Sequence, residues 1–424
     1  MENDFSEVLE VASEAGHILL ENGAEISRVE DIMGRIATHY GVSSGNFFVL
    51  SNGIFTTGQA EKVSKAGGQT STYANVAFIP IRGVQLCKVT AVNRLSYDIS
   101  GGKCTLQEAR QRLKEIKAMP KKPFMEKLLA TSLAAAGFSA VFGGGFLDCA
   151  AAGIAGLLLF LFMSFVSSRY MSKIVGGICN ALLAAGVSIV CWRLGLGICL
   201  SNIIIGAVMP LIPGVPFTNG VRDLANSDYL AGITRMTDAM LGFFCIAMGV
   251  SAAFILDGFI FGGVVKLTGY EPNPQTYSFF WQAVASFLGT VGFAVLYGVD
   301  RKQYNLAGLI GVLGWLTYIS VVRYAALSSP IAAMLAALVV ALLSRFSAVP
   351  SRCPAQIFII CGLFCLVPGA GIFWFSYYLT ASQFMLSLSS GFMALKVAIA
   401  LVLGIILTME LPQSLFSRHR KLAH

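Results

Sequence analysis

The sequence predicts an α-helical polytopic membrane protein: about ten transmembrane helices as two inverted five-helix repeats, behind an N-terminal cytoplasmic α+β domain. Three observations predict it. Hydrophobic residues make up 56% of the 424 residues and charged ones 12%, with a mean hydropathy of +0.72, whereas a soluble chain is nearer a quarter charged. Apolar runs long enough to cross a bilayer follow one another after residue 120. Two Pro-Gly breaks, Pro213-Gly214 and Pro368-Gly369, lie inside such runs, 155 positions apart. Broken backbone at membrane depth is tolerated only where it is buried in protein or lines a wet cavity. A pair of breaks at matching places in two halves points to a secondary transporter.

Residues 1–120 carry 12 Lys/Arg and 13 Asp/Glu, residues 121–424 carry 18 and 9. The net charge of +8 therefore belongs to the membrane part, where positive-inside topology accounts for it and a nucleic-acid partner does not. Met1–Glu30 is acidic and has no apolar core segment, so the first domain is expected to stay in the cytoplasm. Within it, Phe5–Leu20 has apolar residues at helical spacing, and Gly23 ends the helix. Ser27 with Glu30 reads as the capping box of a second helix, running to about His39. Phe47–Thr57 reads as a hairpin with its turn at Asn52-Gly53. Asn75–Ile81 and Val84–Ala91 read as further strands, with Pro80 marking an edge or a break. Thr105 and Glu108 cap a last helix, Thr105–Met119.

Met119-Pro120-Lys121-Lys122-Pro123 is the linker. The first membrane repeat, 121–260, holds spans at about 125–144, 147–167, 174–192, 196–212 and 229–255; the second, 275–424, holds them at about 277–297, 305–323, 329–345, 354–367 and 385–410. With the first helix leaving the cytoplasm, cytoplasmic connections carry Arg169, Lys173, Arg222, Arg301, Lys302, Arg345, Arg352 and the tail Arg418, Arg420 and Lys421. Outer connections carry Arg193, Lys266 and Arg323, which places both termini inside. Five helices per repeat is an odd number, so the second repeat enters from the opposite side. Asp148, Asp257 and Asp300 fall at membrane edges and read as solvated.

The candidate substrate site is built on the two breaks. Pro213-Gly214-Val215-Pro216 ends one helix and starts a half-helix whose first N–H groups carry partial positive charge, a natural seat for a carboxylate. Pro368, Gly369 and Gly371 repeat the device, with Ala370 and Ile372 supplying N–H groups. On the first half-helix Thr218 and Arg222 share one face, Asn219 and Asp223 the next. Arg222 either binds a carboxylate or simply pairs with Asp223. Arg235 and Asp238 lie one turn apart. Asp238, expected about 13 Å along its helix and near the bilayer midplane, either exchanges a proton or is neutralised by Arg235. Lys396 matches Leu241 in the first repeat and either faces Asp238, locks the two halves, or reaches out to the interface. Asn180 and Asn202 are further buried polar groups, lining the path or bonding helices.

Leu19–Met33 (LLENGAEISRVEDIM) and Pro213–Arg235 (PGVPFTNGVRDLANSDYLAGITR), with Val92–Ser96 and Leu366–Gly371, resemble the threonine/serine exporter family over nearly the whole chain. The resemblance implies a cytoplasmic N-terminal domain, ten membrane helices in the plasma (inner) membrane, and efflux of threonine and serine driven by proton influx. In some members the two halves are separate polypeptides, and these split relatives are linked to succinate. The partners implied are the small-molecule substrate, protons and the bilayer; an oligomer is compatible with the sequence.

Four histidines without ligand spacing, and ten cysteines mostly inside apolar segments, point to no metal and no cofactor. No nucleotide motif appears, so ATP is not the direct energy source. The charged segment Glu21–Glu30 offers no nucleophile–base–acid set; it reads as charged helix pairing or as a regulatory contact. The rivals are a dicarboxylate exporter, a membrane-tethered receptor or hydrolase acting through residues 1–120, and a channel.

Overall fold

The computed structural model describes residues 5–42, 44–62, 69–79, 83–262, 265, 267, 278–412 and 415. Pro80, Lys266 and the basic tail lie outside them. The chain forms two compact units, one of residues 1–121, 215–236 and 352–354, the other of 122–214, 237–351 and 355–424.

In the first unit, α1 (Phe5–Glu21) and α2 (Ile26–His39) precede a three-stranded antiparallel sheet of β1 (Asn46–Leu50), β2 (Gly53–Lys62) and β3 (Gln69–Phe78), in that order. The helices α3 (Leu86–Ser100) and α4 (Leu106–Ala118) follow. The apolar stripe of α1 (Val8, Leu9, Ala12, Ala15, Leu19) meets Val29, Ile32 and Ile36 of α2, and Val89 and Val92 of α3, in one core. The β1–β2 hairpin forms, but its turn is Ser51-Asn52, one residue before the expected Asn52-Gly53, with Leu50 paired to Gly53. The Thr105–Glu108 capping box is complete, each side chain bonding the other residue's backbone N–H at 3.3 and 2.9 Å.

Two expectations fail here. Most of Val84–Ala91, expected as a strand, lies in α3, because Leu86, Val89, Asn93 and Ser96 are buried at intervals of three and four. Ser27 does not cap α2. The cap position is Glu25, whose side chain makes no cap bond, and Glu30 accepts from the Val49 N–H at 3.1 Å instead.

The membrane part begins with α5 (Phe124–Val141) and α6 (Phe146–Phe162), which continues through a π turn at Met163–Ser167 into α7 (Ser168–Tyr170). Then come α8 (Lys173–Arg193), α9 (Leu200–Val208), α10 (Gly214–Ala225) and α11 (Tyr229–Phe261). The second set is α12 (Phe279–Leu296), α13 (Tyr304–Tyr324), α14 (Ser329–Ser351), α15 (Ala355–Leu363), α16 (Gly369–Thr380) and α17 (Phe384–Met409). Among the described residues nine helices are long and apolar enough to cross a membrane, or ten if the broken pair Leu200–Leu211 and Gly214–Ala225 counts as one span.

The two sets correspond element by element. Helices α5 and α12 both run 18 residues, α9 and α15 both nine, α10 and α16 both twelve, and each pair starts 155 positions apart. Contacts recur too. A Cβ on Gly249 would strike Ala181 of α8, and one on its counterpart Gly404 would strike Ala337 of α14. Helices α5 and α12 pack on each other. Gly137 lies against Gly289 and Ala285, and Gly292 against Ala134 and Ala130, so the partners advance in opposite directions and the helices are antiparallel. Small residues let the two backbones approach closely, which drives helix association where lipid offers no hydrophobic gain.

Two ion pairs mark the ends of α8. Lys173 pairs with Asp238, and Arg193 holds Asp257 through two bonds of 2.7 and 2.8 Å. The 20 residues between the cations span about 30 Å, one hydrocarbon thickness. Asp238 therefore sits at an end of the span. The midplane depth expected for it assumed a helix starting at the membrane surface, but the first turns of α11, through Met236, belong to the other unit. Asp257 and Asp148 are buried, not solvated as expected. Asp148 accepts from the N–H groups of Gly145, Ile198 and Cys199 at 3.0, 2.6 and 2.9 Å.

Added bulk at the α5–α12 crossing has nowhere to go, since a Cβ on Gly137 would come within 2.7 Å of the Gly289 nitrogen. Gly137→Val and Gly292→Val are each expected to destabilise the protein by about 1–3 kcal/mol. Gly186→Ala, where nothing lies within 4 Å, should be silent. Thermal unfolding in detergent measures all three.

Candidate functional site

The site in the first unit is a buried charge cluster, assembled from the loop 22–28, α10 and the start of α11. Helix α1 ends where Gly23 takes a left-handed φ of +85° and the Gly23 and Ala24 N–H groups fold back onto Leu20 and Leu19 carbonyls. The chain then runs extended through Glu25. This leaves two carbonyls pointing out of the loop, and both are taken. Asn219 Nδ2 donates to Gly23 O at 2.8 Å, and Arg235 Nη2 to Ala24 O at 3.0 Å.

Asp223 bridges the remaining groups. Its Oδ1 accepts from the Ile26 N–H at 3.3 Å, and its Oδ2 from Arg235 Nη1 at 2.6 Å. The Ile26 N–H is the first of α2, one of the donors that a helix start leaves without an internal partner. Because Glu25 provides no cap, a carboxylate from α10 caps α2 across 197 positions of sequence. Glu25 faces Arg222 at 2.7 Å and Arg28 at 3.0 Å. Asn226 Nδ2 donates to Ser27 Oγ at 2.9 Å. The approach of α10 to α11 depends on Gly232, where a Cβ would lie 2.6 Å from the Leu224 side chain.

Glu25, Thr218, Asn219, Arg222, Asp223 and Arg235 are all at most 4% exposed. Burial pushes the Glu25 carboxyl up. The guanidiniums of Arg222, Arg28 and Arg235 outweigh it and hold the group below the usual carboxylate range.

Four residues singled out in sequence thus come together, Asn219, Arg222, Asp223 and Arg235, with Thr218 buried on the same helix and Val215 packed against Gly23. Their partners differ from those expected. Arg222 pairs with Glu25 rather than Asp223, and Arg235 with Asp223 rather than Asp238. Asp238 goes to Lys173, and Lys396, exposed on α17, has no ion pair among the described residues. Sequence reasoning missed Glu25 as a member of the site. Its signal was the density of charge in Glu21–Glu30 without local partners to balance it.

The second unit holds the two breaks. Each follows a nine-residue helix and a 3-10 turn, Met209–Leu211 or Phe364–Leu366, with two residues before the next helix. At both breaks the glycine N–H folds back, Gly214 onto Ile212 O at 2.8 Å and Gly369 onto Val367 O at 2.7 Å. The breaks pack on each other reciprocally. Gly214 seats on the Phe364 ring, and Gly369 on Met209 and Ile212. Phe364 is the counterpart of Met209, so one contact is made twice, as across a two-fold axis. Pro213 lies against Gly242 of α11, and Gly371 against Ala394 of α17. The Ile372 N–H, expected to face the gap, bonds Pro368 O at 3.3 Å instead.

Removing either carboxylate strands a buried guanidinium. Glu25→Ala and Asp223→Ala are each expected to cost about 3–5 kcal/mol, read by denaturant unfolding in detergent. Because the Glu25 carboxyl is lowered on folding, its contribution is fully present above the unfolded value, about 4.3, and is lost as pH falls through the folded one. Hydrogen exchange at residues 22–28 should therefore stay slow at neutral pH and quicken only in acid.

A threonine/serine exporter family model matches residues 10–256, and a second, described as "Threonine/Serine exporter, ThrE", matches residues 282–410. Across 408 residues the chain is 23% identical to the threonine/serine exporter of Corynebacterium glutamicum, covering 94% of this chain and 81% of that protein. Across 241 residues it is 24% identical to a Klebsiella aerogenes protein named "Probable succinate transporter subunit YjjP", covering 57% of this chain and 90% of that one. No solved structure matches the chain.

Proposed function

Because this chain belongs to the threonine/serine exporter family, we propose that it is a secondary exporter of small carboxylate-bearing metabolites, threonine and serine first, driven by proton influx. The observation that carries this reading is the pair of breaks packed on each other, Gly214 on Phe364 and Gly369 on Met209. Such paired discontinuities are where transporters of this build hold their substrate. The substrate carboxylate sits at the breaks, where the Ala370 and Gly371 N–H groups begin a helix whose positive end favours an anion.

The repeats are inverted, related by a two-fold axis in the membrane plane. The antiparallel packing of α5 on α12 supports this, because symmetry mates that both span the bilayer in opposite senses require such an axis. Inversion lets one site face either side in turn. Both termini are cytoplasmic, with the chain in the plasma (inner) membrane.

Asp238 is the proton-exchanging carboxylate. Among the carboxylates on the helices of the second unit, Glu126 is held by Arg301 and Tyr304, Asp148 by three backbone N–H groups, and Asp257 by both arms of Arg193. Asp238 has one partner, Lys173, whose side chain is 76% exposed. Protonating Asp238 releases that partner at little cost, since exposed pairs contribute at most about 1 kcal/mol.

A dicarboxylate is the second reading. The likeness to the succinate transporter subunit favours it, and the exposed Lys396 would meet the second carboxylate.

Proteoliposomes preloaded with labelled threonine, serine or succinate, under an imposed pH gradient, test both. Gradient-driven efflux of threonine or serine, reduced at least tenfold (about 1.4 kcal/mol) in Asp238→Asn, is the expected result. Succinate efflux indifferent to that substitution selects the dicarboxylate reading. Transport of none of the three by folded protein rejects the exporter.

A further inference from the structure

Two carboxylates neutralise the cluster of the first unit, and they are held very differently. Asp223 is fixed by a backbone N–H and a guanidinium, both hydrogen bonded. Glu25 is held by side chains. Its Oε1 accepts from Arg28 Nε at 3.0 Å. Its Oε2 pairs with Arg222 Nη2 at 2.7 Å. Both partners of this carboxylate are thus side chains, and none is backbone. Glu25 also does nothing for its own helix, although it stands at the cap position of α2.

The charges of the cluster are Arg28, Arg222 and Arg235 against Glu25 and Asp223. A carboxylate that replaced Glu25 on Arg222, while Glu25 kept Arg28, would set three carboxylates against the three guanidiniums; the Arg28 side chain is already 23% exposed. Exchange of one carboxylate for another avoids the penalty of leaving a buried guanidinium bare. The position matters as well. Arg222 lies eight residues along α10 from Gly214, about 12 Å at the helical rise.

We propose that Glu25 occupies on Arg222 the place of the transported carboxylate, so that substrate on the side of the N-terminal domain displaces Glu25 and releases loop 22–28 from α10. Arg222 is then a carboxylate-binding residue, and Glu25 is a resident competitor for it. The inference rests on the exporter reading of the preceding section and adds to it a named first contact for the substrate.

The competitor makes a quantitative difference. Apparent affinity is reduced by the fraction of protein in which the site is held by Glu25, so removing the charge should raise it. In full-length protein in proteoliposomes, Glu25→Gln, which keeps shape and loses charge, is expected to lower the half-saturating threonine concentration on the N-domain side by about threefold or more. Arg222→Gln should raise it. A purely structural role for Glu25 predicts lost efflux with no gain in affinity, and that result, or an unchanged half-saturating concentration, overturns the proposal.

A second experiment does not depend on how Glu25→Gln folds. Ser27 and Asn226 touch across the same contact. A disulfide in the Ser27→Cys/Asn226→Cys double variant should stop efflux until reductant is added, and threonine should slow its formation. Full-rate efflux by the cross-linked protein overturns the proposal. If wild-type protein transports neither threonine, serine nor succinate, the exporter reading fails instead, a result distinguishable from both.

Discussion

Asp223 decides how the first unit is put together. It is completely buried in a helix of the membrane half of the sequence, and a carboxylate there must be satisfied or it costs several kcal/mol. Its two partners are the opening N–H of α2 and the Arg235 guanidinium. One side chain thus ties the N-terminal domain's second helix, α10 and the start of α11 into a single arrangement. Buried ion pairs add little net stability compared with apolar contacts of the same shape. What this one adds is register: a one-residue slip of α10 would break the Asp223–Arg235, Arg222–Glu25 and Asn219–Gly23 contacts at once.

The second unit is organised by the opposite chemistry. At the α5–α12 crossing the contacts are Gly137, Gly289, Gly292, Ala130 and Ala134, with no polar group among those side chains. Charge pairs stand at the two ends of α8, where Lys173–Asp238 and Arg193–Asp257 lie about one bilayer apart. The same kind of glycine contact recurs in the two helix sets. Gly249 and Gly404 meet equivalent residues of α8 and α14, because a helix pair that needs close backbone approach cannot exchange its glycine for a larger residue.

Much of this was legible in the sequence, for local reasons. Proline and glycine act where they stand, so the breaks at Pro213-Gly214 and Pro368-Gly369 appear where expected. The Thr105–Glu108 box and the β1–β2 hairpin are equally local. The failures are non-local. Val84–Ala91 has apolar residues that fit a strand or a helix face, and only the core of α1 and α2 decides for the helix. Asp238 was placed by counting from Tyr229, but the end of the span is fixed by Lys173, 65 positions away. Arg222 and Arg235 stand out in sequence as candidate site residues, with the nearest acids as alternative partners. Their true partners follow from the docking of a loop near residue 25, which no periodicity encodes.

The two half-helices share geometry and differ in chemistry. Positions Thr218, Asn219, Arg222 and Asp223 of α10 correspond, 155 residues on, to Phe373, Trp374, Tyr377 and Tyr378 of α16. Where α10 carries ions that bond the loop 22–28, α16 carries rings. Phe373 and Tyr377 pack with Phe254, the Tyr377 hydroxyl accepts from the Leu267 N–H at 2.9 Å, and Trp374 stacks on Tyr378. An aromatic cluster is held by burial and offers a charged solute nothing to exchange with. An ion cluster can trade one carboxylate for another without net loss. The two half-helices that follow the breaks are therefore alike in backbone and unlike in what their side chains can bind.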